Sequence, residues 1–147
     1  MIRLRAVPVL ICERGVRWRD AVRRFWGPFQ HVPAEEASRS GEGFVFQTIS
    51  VERQKLRSAV ASQAQSCVVV WEDQASEFAG IAEAIFQIHL SHPHATQCVA
   101  CRRAGDAATR ERLLMFQELG VELVIPSPEQ MPRYRNFVNQ AVQRHRF

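Results

Sequence analysis

Acidic residues follow two of the most apolar runs in the chain, and their positions could support chemistry. Glu13 follows Val9–Cys12, and Glu72 and Asp73 follow the apolar run that ends at Trp71. If both runs are parallel strands, their ends lie at the same edge of a sheet, where ligands bind in such folds. Carboxylates gathered there could act as an acid and a base or hold a divalent cation. Basic residues nearby could instead neutralise them: Arg14, Arg102 and Arg103.

A second group has the residue types that bind zinc. Histidines at 89, 92 and 94 precede Cys98 and Cys101, and zinc takes four nitrogen or sulfur ligands. The cysteine pair, however, lies in an apolar run typical of a strand, where side chains three residues apart point to opposite faces. We therefore predict no metal site and no cofactor. Since all four cysteines lie in or beside apolar runs, we expect buried, reduced thiols: Cys12, Cys67, Cys98 and Cys101.

The composition is that of an ordinary globular protein. The chain has 147 residues, of which 46% are hydrophobic and 23% charged, and this excludes a disordered or fibrous chain. No apolar run approaches the ~18 residues of a membrane span, and the first residues lack the apolar stretch of a secretory signal. We therefore expect one cytoplasmic domain over residues 1–147, with no membrane partner.

The formal net charge is +4, and Lys55 is the only lysine among the 19 basic residues. The arginines are spread along the sequence, whereas nucleic-acid-binding proteins usually gather basic residues on one face with aromatic partners. We therefore do not expect nucleic-acid binding. That function would require a fold that brings the arginines together and an affinity that weakens steeply with salt.

Short apolar runs alternate with amphipathic helical patterns. Strands are predicted at 6–12, 44–49, 66–71, 96–101 and 121–125, and helices at 16–26, 51–62, about 76–90, 107–119 and from about 129 to 144. Ser50 and Asp106 are predicted helix N-caps, Ser76 or Asp73 a third, and Gly120 a C-terminal stop. A long loop is predicted at 27–43. This alternation favours a parallel sheet that helices cover on both faces.

Three segments resemble the receiver domains of two-component response regulators, which have the flavodoxin-like fold. Val9–Glu13 resembles the first receiver strand, Ser66–Asp73 the third, and Glu118–Pro128 the fifth with the turn after it. The resemblance covers nearly the whole chain. It implies a three-layer α/β/α domain with a five-stranded parallel sheet of order 2-1-3-4-5.

The resemblance also implies a phosphorylation site at the strand ends, from which this chain departs at most positions. The acidic pair that holds Mg²⁺ becomes Glu13 and Arg14, and the phosphoacceptor aspartate falls on Trp71 or Glu72, with Asp73 one or two residues late. The switch hydroxyl falls on an arginine, and the lysine before the last helix falls on Ser127. These departures predict a vestigial site at the following positions: Glu13, Arg14, Trp71, Glu72, Asp73, Arg102 and Ser127.

The resemblance therefore implies a pseudo-receiver, which is not an enzyme and acts by binding a protein partner or a second copy of itself. In receivers the usual partner surface is formed by the fourth helix, fifth strand and fifth helix, which here would include the following residues: Gln117, Glu122, Arg133, Tyr134 and Arg135. Two alternatives remain open. One is a small flavodoxin-like enzyme or anion-binding domain that uses the strand-end residues, and the other is a working receiver phosphorylated on Asp73 or Glu72.

Overall fold

Five strands and five long helices alternate along the described part of the chain. The structure is a computed structural model that describes residues 3–26, 42–102 and 105–144. The strands are β1 (Arg3–Cys12), β2 (Glu42–Ser50), β3 (Cys67–Glu72), β4 (Ala95–Ala100) and β5 (Leu123–Ile125). The helices are α1 (Arg17–Phe25), α2 (Arg53–Ala61), α3 (Phe78–Ser91), α4 (Ala107–Leu119) and α5 (Met131–Arg144). Short 3-10 turns precede α3 at Ala75–Glu77 and α5 at Pro128–Gln130.

The strands form one parallel sheet in the order β2-β1-β3-β4-β5. The predicted fold class and strand order are therefore confirmed. All the strands run in the same direction, so their carboxyl ends meet at one edge of the sheet. Of the loop predicted at 27–43, residues 27–41 lie outside the described residues, and residues 42 and 43 begin β2.

The sheet separates two hydrophobic cores. The first lies between the sheet and the α1–α5 layer, and Trp18, Trp26 and Val138 are part of it. The second lies beneath α2, α3 and α4, and Leu56, Ile85 and Phe116 are part of it. Side chains of β3 and β4 enter the two cores alternately because neighbouring residues of a strand face opposite sides. Both faces of the central strands are therefore buried, as their continuous apolar runs predict.

Helix boundaries depend on the capping residues, and the structure confirms some of the predicted caps. The Asp106 carboxylate accepts a hydrogen bond of 2.7 Å from the Thr109 amide at the start of α4. Gly120, with a φ of +124°, ends the same helix. The predicted N-cap at Ser50 is wrong, because α2 begins at Arg53 and Glu52 occupies the cap position without a side-chain hydrogen bond.

Two further details differ from the sequence-based expectation. Neither Ser76 nor Asp73 caps α3, because a 3-10 turn precedes that helix and Glu77 holds its N-cap position. The helical pattern places Phe137 together with Val138 and Val142 on the inner face of α5, but the Phe137 side chain is 53% exposed, whereas Val138 and Val142 are buried. Within the described residues, no helix has the length and apolar character needed to cross a membrane.

Candidate functional site

The carboxyl ends of β1 and β3 bring the predicted acidic residues to one edge of the sheet. The two strands are paired through Cys12 and Trp71, so Glu13 and Glu72 follow at the same level of the sheet. Asp73 comes next and donates its amide to the Ala100 carbonyl at the end of β4, at 2.8 Å. The structure therefore brings these three acidic residues to one region, and their partners determine what they can do.

Glu13 binds the first turn of α1. Its two carboxylate oxygens accept hydrogen bonds of 2.8 Å from the amides of Trp18 and Arg19. These amides have no partner within the helix, and the N-cap residue, Val16, offers no side-chain acceptor. Burial raises the pKa of Glu13, and the nearby Glu72 adds to the rise, while the two amide hydrogen bonds oppose it. Both Glu13 oxygens are thus bound by backbone amides at the start of α1.

Glu72 is 4% exposed and lies at the end of β3. Its Oε1 accepts hydrogen bonds from the Arg14 amide at 3.2 Å and from Gln74 Nε2 at 3.3 Å. Its Oε2 lies 3.9 Å from the Arg102 guanidinium and has no hydrogen bond within the described residues. Arg14 therefore contacts Glu72 through its backbone, and its guanidinium donates to the Ser76 hydroxyl at 3.1 Å.

Asp73 forms the shortest ion pair of the site, with Arg112 of α4. Arg112 Nε donates to Oδ1 at 3.0 Å and Nη2 donates to Oδ2 at 2.9 Å, so the pair is bidentate. The Asp73 side chain is 5% exposed, and the hydrogen bond to it raises the pKa of Arg112. Arg112 also donates to the Thr109 hydroxyl at 3.2 Å. Both Asp73 oxygens are thus occupied by a cation of the same chain.

Sequence reasoning missed Arg112, although the helical pattern contains a signal for it. Arg112 lies between Thr109, Leu113 and Phe116, the three buried residues of α4. A charged residue at the edge of the apolar stripe of an amphipathic helix is a candidate for an ion pair, because a charged group that becomes buried is rarely left unpaired. The pattern therefore indicates Arg112 as a candidate, but it does not identify Asp73 as the partner.

Trp71 lies apart from the carboxylates. Its side chain is fully buried in the second core, and its indole Nε1 donates to Gln97 Oε1 of β4 at 2.9 Å. Gln97 Nε2 in turn donates to the Ile85 carbonyl of α3 at 2.9 Å. The resemblance places the phosphoacceptor position on either Trp71 or Glu72. Of these two residues, Glu72 contacts the strand-end residues, whereas Trp71 connects β3, β4 and α3.

The remaining predicted site residues lie near the ends of β4 and β5. The Arg102 side chain is 59% exposed and approaches Glu72. Ser127 follows β5 and occupies the N-cap position of the 3-10 turn at Pro128–Gln130, without a side-chain hydrogen bond to it. A short neutral hydroxyl cannot supply the positive charge that a receiver lysine brings to a phosphoryl group. Arg103 lies outside the described residues.

The predicted partner surface lies along edge strand β5 and the helices beside it. Gln117 and Arg133 are exposed, as is Glu122, whose carboxylate lies 3.5 Å from the Arg144 guanidinium. Arg135 is partly buried. The partly buried Tyr134 ring packs against Phe137 with 6.1 Å between ring centroids.

The two cysteines of the cysteine and histidine group lie on opposite faces of the sheet. All four cysteines are free and buried, and Cys98 and Cys101 belong to opposite cores, as the strand pattern predicts. Burial raises the pKa of Cys12 and of Cys101 to about 11 each. Among the described residues, no three His, Cys, Asp or Glu side chains are arranged to hold a metal ion.

No protein-family model matches the chain, and no curated protein matches it either. Solved structures do match over nearly its full length. A structure described as a pilus assembly-related protein from Burkholderia pseudomallei is 16% identical, with a TM-score of 0.55, and the match covers 93% of this chain and 90% of that one. A CpaE2 pilus assembly protein from Sinorhizobium meliloti is 15% identical, with a TM-score of 0.52 and coverages of 95% and 99%.

A third match is the isolated REC domain of RcsB from Salmonella enterica serovar Typhimurium, solved with the phosphomimetic BeF3⁻. It is 11% identical, with a TM-score of 0.56, and the match covers 97% of this chain and 100% of that one. Together with the strand order, these similarities confirm a receiver-type fold and the resemblance that the three segments indicate. At these identities they establish the fold alone.

Proposed function

We propose that this chain is a receiver-like protein-interaction module that aspartate phosphorylation does not switch. It acts in the cytoplasm by binding a protein partner rather than by catalysis. The observation that carries the proposal is the bidentate pair between Asp73 and Arg112. A phosphoacceptor must present a free carboxylate oxygen to phosphorus, and here both Asp73 oxygens accept hydrogen bonds from one guanidinium.

The other acidic residues of the site support the same proposal. A Mg²⁺ ion needs several oxygen ligands in near-octahedral geometry. Both Glu13 oxygens are already bound to the amides of α1, and Arg102 lies beside the remaining Glu72 oxygen. A cation bound there would have to compete with these amide hydrogen bonds and with the charge of Arg102. The missing lysine adds to the argument, since Ser127 occupies its place and Lys55, the only lysine, is on α2.

The partner surface that we propose, the β5-edge face, consists of α4, β5 and α5. Leu114 of α4 and Phe137 of α5 expose 61% and 53% of their surface, and among the described strands β5 pairs with β4 alone. Exposed apolar side chains and open strand edges are both typical of protein interfaces. Exposed polar and charged residues of these elements supply a polar rim: Gln117, Glu122 and Arg133.

The first test measures thermal unfolding with Mg²⁺, alone and with beryllium fluoride. A ligand that binds only the folded state raises the melting temperature by mass action, and we expect no shift here. A shift that disappears in Asp73→Asn or Glu72→Gln, but persists in Asp20→Asn at an exposed position, would instead establish a working receiver. A shift with phosphate or another anion that Arg102→Gln removes would favour the anion-binding alternative.

The second test concerns the partner surface. Sedimentation equilibrium over a wide concentration range measures self-association of the whole chain, with Phe137→Ser and Leu114→Ser as test variants. Phe86→Ser is the matched control, because Phe86 is 41% exposed on α3, away from β5. Self-association that Phe137→Ser weakens and Phe86→Ser does not would identify the partner as a second copy on the β5-edge face. The reverse pattern would place the interface on α3.

A further inference from the structure

Large apolar side chains remain exposed on three helices. Among the described residues, seven large hydrophobic side chains are exposed, and five of them belong to α3, α4 and α5. Single exposed apolar residues are common on protein surfaces, whereas a concentration of them indicates a contact with another molecule. These five side chains expose between 41% and 61% of their surface: Phe86, Leu90, Leu114, Met115 and Phe137.

Helices α3 and α4 pack side by side, which fixes the position of one of these side chains. The Phe78 ring contacts the Phe116 ring, with 5.2 Å between ring centroids. The His89 ring lies directly against Gly120 at the end of α4. Residues three positions apart are neighbours on a helix surface, so Phe86 lies beside His89 and borders the side of α3 that faces α4.

Met115 borders the facing side of α4. It lies three residues after Arg112, whose guanidinium reaches Asp73 at the end of β3, and α3 follows Asp73 in the chain. Met115 is therefore on the side of α4 that faces α3. Leu90 lies one turn after Phe86 on α3, so the two helices expose three apolar side chains on their outer surface.

The charge on this outer surface is acidic, although the net charge of the chain is +4. Of the two arginines on α3 and α4, Arg110 is exposed, and Arg112 is neutralised by its ion pair with a carboxylate. Against the single exposed arginine, three glutamates of these helices are exposed: Glu83, Glu111 and Glu118.

The glutamates lie beside the apolar side chains. Glu83 precedes Phe86 by three residues on α3, and Glu111 precedes Met115 by four residues on α4, so each pair shares one side of its helix. This combination forms a distinct surface, the α3–α4 face. It consists of six exposed residues: Glu83, Phe86, Leu90, Glu111, Met115 and Glu118.

Helix α5 has the opposite charge. It contains three arginines and no acidic residue between Met131 and Arg144. The Arg144 guanidinium lies 3.5 Å from the carboxylate of Glu122, which precedes β5, so this side of α5 is part of the β5-edge face. Four exposed residues share that side, because they are four, three and four positions apart: Arg133, Phe137, Gln140 and Arg144.

We propose that the β5-edge face of one copy of this chain binds the α3–α4 face of a second copy. The inference rests on the proposed function, since it names the partner of the β5-edge face. Phe137 packs against the apolar side chains of the second copy, and the arginines of α5 lie beside its glutamates. Complementary charges favour this contact, whereas a contact between two α5 helices would place arginines against arginines. The glutamates also repel anionic lipids and nucleic acid.

Two different surfaces meet in such a contact, so each copy keeps one unoccupied surface of each kind. Head-to-tail contacts of this type produce closed rings or open filaments rather than a symmetric dimer. The wild-type chain should therefore form species larger than two copies as its concentration rises.

Sedimentation equilibrium of the whole chain up to about 1 mM tests the inference, because small interfaces are weak. Phe137→Ser and Phe86→Ser should each raise the dissociation constant about tenfold. Leu90→Ser is a second variant of the α3–α4 face and should act in the same direction. Ile49→Ser is the matched control, because Ile49 is 42% exposed on β2 at the opposite edge of the sheet, and it should leave association unchanged.

A mixture of two variants gives the sharpest test. Phe137→Ser keeps an intact α3–α4 face, and Phe86→Ser keeps an intact β5-edge face. An equimolar mixture should therefore form a two-copy species with nearly the wild-type affinity, and it should stop at two copies. A symmetric contact predicts no such recovery, because each copy would then bring the same damaged or intact surface to the contact.

The charges give an independent readout. Glu83→Gln/Glu111→Gln should weaken association about threefold at about 50 mM salt and have little effect at about 500 mM. Asp20→Asn/Glu52→Gln removes the same charge from exposed positions on α1 and before α2, and it should leave association unchanged. An equal loss in the two double variants would reduce the effect to net charge and contradict the inference.

Two further outcomes would overturn the inference and leave the proposed function standing. A wild-type chain that stays monomeric would assign the β5-edge face to a different protein. A loss in Phe137→Ser alone, with no two-copy species in the mixture, would indicate a symmetric contact. The loss of phosphorylation is tested separately by thermal unfolding with Mg²⁺ and beryllium fluoride, since none of these variants changes a strand-end residue.

Discussion

At the scale of single residues, the feature that decides the candidate site is the contact between Asp73 and Arg112. The two residues are 39 positions apart in sequence and join the end of β3 to α4. A charge-assisted bidentate pair, a strong class of hydrogen bond, links these two elements.

Arg112→Gln should therefore lower the free energy of unfolding by about 2 kcal/mol, because it leaves the buried Asp73 carboxylate without its cation. Arg110→Gln, at an exposed position of the same helix, should change it by less than about 0.5 kcal/mol. Urea unfolding measures both. In an Arg112→Gln background, Asp73→Asn should cost much less than it does alone, and additive losses would show that the two side chains do not interact in solution.

The buried thiols give a prediction about pH. The pKa of Cys12 and of Cys101 is about 11 and that of Cys67 about 12, each raised by burial from an ordinary value of 9.0. Iodoacetamide at pH 8 should therefore modify none of the four cysteines in the folded chain and all four in urea, because only about one Cys12 thiol in a thousand is then a thiolate. Mass spectrometry counts the modified cysteines, and carboxamidomethylation of the folded chain would contradict their burial.

These raised pKa values also predict whether the folded chain becomes more or less stable as the pH rises. An acid whose pKa is higher in the folded chain binds its proton more tightly there, so deprotonation favours unfolding. The contribution of the buried thiols to the free energy of unfolding should be fully present below pH 9 and should decline as the pH rises toward 11.

At the scale of elements, the first amides of α1 are bound by a residue that lies before the N-cap position. Glu13 accepts the amides of Trp18 and Arg19, and Val16 occupies the cap position. The turn between them includes Gly15, whose φ of +88° suits glycine. The same carboxylate that resembles a receiver metal ligand thus serves the start of a helix.

Glu13→Ala should destabilise the chain by about 1 kcal/mol, the usual cost of losing a helix cap. Glu52→Ala is the matched control, because Glu52 occupies the N-cap of α2 without a side-chain hydrogen bond. It should cost less than about 0.5 kcal/mol. Hydrogen exchange of the Trp18 and Arg19 amides reports the cap directly, and unchanged protection in Glu13→Ala would mean that other groups hold the start of α1.

At the scale of the whole molecule, two cores share one sheet. Trp18 and Trp26 lie in the first core and Trp71 in the second. The Trp26 indole donates to the Met131 carbonyl at 2.7 Å and so joins α1 to α5. Since β3 and β4 contribute side chains to both cores, neither core can lose its packing without exposing the other side of the same strands.

We therefore expect one cooperative unfolding transition, as for a single domain. Trp71→Phe leaves fluorescence that reports the first core, and the double variant Trp18→Phe/Trp26→Phe leaves fluorescence that reports the second. Within each variant, the urea midpoint by fluorescence should equal the midpoint by far-UV circular dichroism. Separate midpoints would mean that the two sides of the sheet unfold independently.

The sequence by itself determined the architecture. The alternation of apolar runs with helical stripes predicted every described strand and long helix, because period-two and period-3.6 burial patterns are local. Asp106 and Gly120 were predictable as the ends of α4 for the same reason, since capping depends on neighbouring residues. The resemblance of three short segments to receiver strands was enough to imply the strand order.

Only the tertiary structure decided the chemistry of the site. Glu72 and Asp73 were predictable at a strand end, but their partners come from other elements, and Arg112 was identifiable only once α4 was placed above β3. Trp71 and Phe137 were harder to place, because the side of an element that faces the core depends on what packs against it. Helices α1 and α5, which lie at opposite ends of the sequence, share the first core for the same reason: distance in space is set by packing, and a local pattern carries no record of it.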